Sequence, residues 1–170
     1  MADIKETLVD WLRDAYAMEN QAVEMLERQT ERLENYPDVL AKVREHVAVT
    51  RRQADRVREC LQRLDTDTSS IKTGIGMLIG NAQSLSGVFA SDEVVKAGIF
   101  NYAFEQFEIA NYRVLVATSR QVGDAEITRL LEENLREEEE MARWIESNMP
   151  QLTQTYLQRK MAGQHAEAKR

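Results

Sequence analysis

Apolar residues recur at helical spacing along four long segments, and in three of them a glutamate takes a place in the stripe. The first segment reads Leu8, Leu12, Ala15, Glu19, Ala22, Leu26, Leu33. The second reads Leu40, Val43, Val47, Thr50, Ala54, Val57, Leu61, Leu64. The third carries Val94, Gly98, Tyr102, Glu105, Ile109, Tyr112, Val116, and the fourth Ile127, Leu131, Asn134, Glu138, Met141, Ile145, Met149. No stretch alternates in the manner of a strand, so the chain reads as all-α. A carboxylate taken out of water is costly unless a proton, a cation or a metal compensates. Glu19, Glu105 and Glu138 lie near the middles of their segments. They predict a site at the centre of a helical protein.

The breaks between segments set the topology. Asp3 with Glu6 reads as a capping box opening the first helix. Asn35-Tyr36-Pro37 interrupts the chain, and Pro37 suits the first turn of the second helix. So short a link makes these two helices antiparallel neighbours. From Asp65 to Ser91 a polar run gives way to an apolar, glycine-studded stretch, read as a long crossover with a short irregular helix. Ser91-Asp92-Glu93 caps the third helix, Gly123 ends it, and Asp124 starts the fourth. Pro150 should stop or kink the fourth helix, leaving a short C-terminal helix with Leu152, Tyr156, Leu157 and Met161. Two helical hairpins joined by one long crossover make a ferritin-like four-helix bundle. The expected organisation is one domain over residues 1–162 and a frayed tail over 163–170.

Composition removes several function classes. A net charge of −7 argues against nucleic acid, which wants a basic stripe. No run of 18 apolar residues is present to span a membrane. The first residues are neither basic nor followed by an apolar segment, so secretion is not indicated. A single cysteine, Cys60, allows no internal disulfide and fits a reducing cytoplasm. It reads as a partly buried thiol near a helix end. Catalytic triads, phosphate-cradling loops and zinc-knuckle spacings are missing from the sequence.

The chemistry that fits inward carboxylates in a bundle is a dinuclear metal site. There, two helices each give a Glu and the other two each give a Glu-x-x-His pair. Here Glu19 and Glu105 are the lone glutamates, while Thr50-x-x-Gln53 and Glu138-x-x-Met141 stand where the pairs belong. The histidine nearest the centre is His46, one turn from Thr50; His165 falls in the tail. The candidate ligands are Glu19, Glu105 and Glu138, with Glu108 as an auxiliary and Gln53 or His46 from the second helix. Hard oxygen ligands with an imidazole suit iron or manganese. Other readings stay open. The glutamates can point past the core into water, pair with Arg13, Arg51 or Arg113, or stay protonated. Glu108 competes with Glu105 for the inward position. In the run Glu137 to Glu140, Glu138 or Glu137 turns inward and the rest are solvated. The aromatics, Tyr112 among them, read as packing; a tyrosine hydrogen-bonded to a ligand is the rarer role. Arg51, Arg52, Arg56 and Arg58 read as an outer face balanced by acids of neighbouring helices.

Trp11 to Glu19, His46-x-x-x-Thr50-x-x-Gln53, and Phe104 to Tyr112 (Phe-Glu-Gln-Phe-Glu-Ile-Ala-Asn-Tyr) together resemble the YciE/YciF family of bacterial ferritin-like proteins. Asn35-Tyr36-Pro37 and the stretch Glu137 to Ala142 extend the likeness over most of the chain, and it is nearest the YciE branch. The resemblance implies a ferritin-like bundle, a cytoplasmic location, homodimers and a link with stress response. That family commonly has Glu before the position of Thr50, where this chain has Val49. Its second helix is therefore short of a carboxylate as well as the paired histidine.

Two function classes follow. In one, the chain binds iron or manganese between its helices and works on the metal, oxygen or peroxide. In the other, it keeps the scaffold without metal and acts as a structural or interaction protein through dimer surfaces.

Overall fold

The computed structural model describes residues 4–66 and 92–167. Four helices account for nearly all of them: α1 (Ile4–Thr30), α2 (Pro37–Arg63), α3 (Glu93–Val122) and α4 (Ala125–Met161). No strand occurs among the described residues, and none of their helices is long and apolar enough to cross a membrane. α1 packs along α2, and α3 along α4. Smaller contacts join α2 to α4 and α1 to α3.

Side-chain pairs fix the directions. Gln29 near the end of α1 exchanges hydrogen bonds with Asn101 near the start of α3, at 2.9 and 2.8 Å. Arg63 at the end of α2 meets Asp124 at the start of α4, 3.4 Å away. Each of these pairs is therefore antiparallel, and Arg63 and Glu93 stand at opposite ends of the bundle. This is the ferritin-like arrangement of two hairpins. The short crossover helix and the capping roles of Asp3 and Ser91 lie outside the described residues.

The turns follow local chemistry. Pro37 opens α2, where its missing N–H costs nothing. Gly123 closes α3 with φ at 86°, a conformation that a Cβ disfavours, and donates its N–H to Ser119 O at 3.0 Å. Asp124 then caps α4 by accepting from the N–H groups of Glu126 and Ile127 at 2.9 and 3.0 Å. Pro150 does not stop the helix. α4 runs 37 residues through it, so the expected short C-terminal helix is the far end of α4. The proline removes one backbone bond but faces solvent, while Ile145 and Tyr156 on either side stay buried and hold the helix to its neighbours. Beyond Met161 the chain folds back on the α1–α2 turn. Tyr36 Oη donates to Ala166 O at 2.7 Å, and Asn35 Nδ2 donates to Glu167 O at 2.9 Å.

Two apolar clusters fill the bundle. One gathers Leu8, Leu12, Leu61, Leu115, Ile127 and Leu131; the other gathers Leu26, Leu33, Tyr36, Val43, Val94 and Tyr156. Cys60 is fully buried in the first, and burial pushes its thiol up to about 12.

Candidate metal centre

Between these clusters lies a layer of polar side chains shut off from solvent. Glu19 of α1, His46, Thr50 and Gln53 of α2, Glu105 and Glu108 of α3, and Glu138 of α4 are all buried, none more than 4 % exposed. Their placement follows from helical phase. Glu19 falls within the stripe of Ala15, Met18 and Ala22, and Glu138 between Asn134 and Met141. On α3 a three-residue step keeps Glu105 and Glu108 on one face, and both turn inward. Only Glu138 of the run Glu137 to Glu140 is buried.

The ligand atoms converge in two triads. His46, Glu105 and Glu138 each offer an atom within 4.8 Å of the others, and so do Glu19, Glu108 and Glu138. Glu138 belongs to both. His46 Nε2 lies 3.1 Å from Glu105 Oε1 and 4.0 Å from Glu138 Oε2. Gln53 is buried in the same layer, with neither amide atom hydrogen-bonded among the described residues. His165 pairs loosely with Glu167 at the surface, 3.9 Å away.

Among the described residues no Lys or Arg pairs with the four buried glutamates. Arg51 pairs with Glu27, Arg113 with Glu139 at 3.0 Å, and Arg13 with Asp10 at 3.4 Å. Burial pushes Glu105 up to about 7. It raises Glu19, Glu108 and Glu138 well above the usual carboxylate range, with the neighbouring carboxylates adding to the rise. Burial also lowers His46, which favours a neutral imidazole, the form that binds metals.

A metal ion fits what is left over. Glu19 Oε2, Glu105 Oε2, Glu108 Oε1 and Glu138 Oε2 have no hydrogen-bond donor among the described residues. A buried oxygen without a donor is expensive. Carboxylate oxygens from four glutamates with one imidazole are a donor set for iron or manganese. A cavity of about 260 Å3 opens toward one end of the bundle, and its lining includes Val43, Asn101 and Met141. These lie one turn from His46, Glu105 and Glu138 respectively, so the cavity approaches the histidine side of the layer.

Periodicity within single helices did not disclose the support for Glu19. Tyr112 is fully buried, and its hydroxyl donates to Glu19 Oε1. Asn134 Nδ2 donates to Tyr112 Oη at 2.9 Å. The sequence signal was present but weak: Asn134 stands in the stripe of α4 one turn before Glu138, and Tyr112 one turn after Glu108.

A family model described as a domain of unknown function (DUF892) matches residues 3–158. Among solved structures, a protein from Xanthomonas campestris pv. campestris is 34 % identical, with a TM-score of 0.79 over 94 % of this chain and 99 % of that one. YcfI from Rhodopseudomonas palustris is 28 % identical, with a TM-score of 0.76 over 86 % and 94 %. The E. coli stress protein YciF is 21 % identical, with a TM-score of 0.74 over 88 % and 96 %, a likeness of fold alone.

Proposed function

The chain belongs to the DUF892 family, and on that footing we propose that it is a ferritin-like metal protein holding two iron or manganese ions among its four helices. The observation that carries this reading is the pair of triads meeting at Glu138, with four inward oxygens that lack a donor among the described residues. Glu138, common to both triads, would be the ligand shared by the two ions. Glu105 and His46 would hold one ion with it, and Glu19 and Glu108 the other. Gln53 is a neutral auxiliary. A bound pair would supply redox chemistry with oxygen or peroxide. The protein's part is to exclude water from the layer and hold the carboxylates at one height, and the cavity over Val43, Asn101 and Met141 gives a small oxidant its approach.

The setting we infer is a bacterial stress response, in keeping with the name of the E. coli YciF protein. Within the family the sequence sits nearest the YciE branch, and the lone Cys60 suits a cytoplasmic location. Exposed Ile99, Val114, Leu157 and Met161 support assembly as a homodimer, which light scattering tests against the 19.6 kDa chain mass.

A second reading, a metal-free scaffold or interaction protein, draws support from α2, which brings Gln53 and Thr50 where the dinuclear pattern has a carboxylate and histidine. Metal content separates the two. Protein from cells grown with added iron or manganese should carry close to two ions per chain, and Glu138→Ala should carry none. A wild-type chain that stays empty under those conditions removes the metal reading.

A further inference from the structure

We propose that Arg56, Asn134 and Tyr112 are positioning residues that hold Glu19, so that the Glu19 half of the centre is prearranged while the His46 half is not. The inference rests on the metal reading above and adds an inequivalence between its two halves.

The chain of hydrogen bonds crosses from the outside of the bundle to its middle. Arg56 of α2 has a side chain only 15 % exposed, clasped by Glu133 at 2.7 Å and by both oxygens of Glu137 at 2.7 and 3.1 Å. Its Nη1 donates to Asn134 Oδ1 at 2.9 Å. Asn134 Nδ2 donates to Tyr112 Oη at 2.9 Å and to the Gln53 carbonyl at 3.2 Å. Tyr112 Oη donates to Glu19 Oε1.

The donor inventory makes this order one-way. A guanidinium has no acceptor, so the Asn134 atom facing Arg56 must be its oxygen. That sets the amide, and its NH2 faces Tyr112 and the Gln53 carbonyl. The hydroxyl of Tyr112 then receives a donor from Asn134, and its one proton is left for Glu19. Each link specifies the next, from a permanent cation to a carboxylate, and no proton has to move. Glu19 Oε1 is thereby fixed, and Oε2 is the oxygen free to meet Glu108 and Glu138. Glu105 has no such chain to the rim: its partners, Glu138 and His46, belong to the ligand layer itself. Among the described residues His46 is its one nitrogen partner, and its Oε2 lacks a donor. Outer hydrogen bonds of this kind are worth about 10- to 100-fold in metal affinity.

The test is titration of metal-free protein with manganese(II), reading bound ions by equilibrium dialysis and the electron spin resonance of the bound metal. In Tyr112→Phe, one of two ions should weaken by about 10- to 100-fold, with the spectrum of a coupled pair giving way to that of an isolated ion. Arg56→Gln, changed at the rim and outside the ligand layer, should weaken the same ion by a smaller factor, and Arg56→Lys by less again. Two ions bound as tightly as in the wild type, or both weakened alike in folded variants, overturns the inference alone. A wild-type chain that takes up no manganese overturns the metal reading with it.

Discussion

Glu105 and Glu108 stand three residues apart on α3, both 2 % exposed, yet they serve different triads: Glu105 faces His46 and Glu108 faces Glu19. One helical turn thus spans the layer. The arrangement predicts separable losses. Glu105→Gln and Glu108→Gln should each lower metal content from about two ions per chain to about one, and Glu138→Ala should remove both. Elemental analysis of purified variants reads this directly; equal losses in all three would contradict the sharing of Glu138.

The metal-free protein should become less stable as pH rises. An acid whose pKa is raised by folding binds a proton in the folded chain that the unfolded chain has released. Its stabilisation is complete below the unfolded value, 4.5 for Glu105, and fades as pH climbs through about 7. Glu19, Glu108 and Glu138 act in the same direction and extend the decline to higher pH. His46 acts oppositely below 6.5, since the unfolded chain binds its proton more readily. Four acids outweigh one imidazole. Urea unfolding with chelator should show the midpoint falling from pH 5 to pH 8, and manganese should reverse the trend because the metal displaces the protons. A metal-free midpoint that rises over this interval would refute the account.

Replacing a buried acid by an apolar side chain should stabilise the metal-free fold. Glu108→Met keeps the length and removes a desolvated carboxyl crowded by three others. A gain of about 1–4 kcal/mol is expected. At roughly 2–4 °C per kcal/mol for a chain of this size, calorimetry resolves it easily. The same variant should bind one ion fewer. A lower melting temperature without metal would mean that Glu108 is better satisfied than its surroundings indicate.

The α3–α4 turn offers a test independent of the centre. Gly123→Ala places a Cβ at φ 86°, and Asp124→Ala removes the cap of α4. Each should cost about 1 kcal/mol and leave metal content unchanged. An altered metal count would tie the turn to the layer in a way its position does not suggest.

The four helices, their antiparallel hairpins and the inward Glu19, Glu105 and Glu138 were legible in the sequence, because burial writes a 3.6-residue period into each helix. Glu108 was harder. α3 packs against both α1 and α4, so its buried face is wide enough for both members of an i, i+3 pair, and a narrow stripe selects only one. The Arg56–Asn134–Tyr112 chain depends on the register between three helices, which no single helix records. Arg56 therefore looked like a surface charge and Tyr112 like packing. Pro150 shows the limit of local preference: the propensity against proline is real, but burial of Ile145 and Tyr156 on either side outweighs one missing backbone bond.

The sealed position of Cys60 makes the molecule self-reporting. A maleimide or disulfide reagent has no access to that sulfur until the bundle opens, and its high pKa leaves almost no thiolate to react before then. The rate of modification in native buffer would count openings of the whole bundle. Comparing that rate with and without manganese would register what the metal contributes to keeping the rods together, with no dye or engineered label.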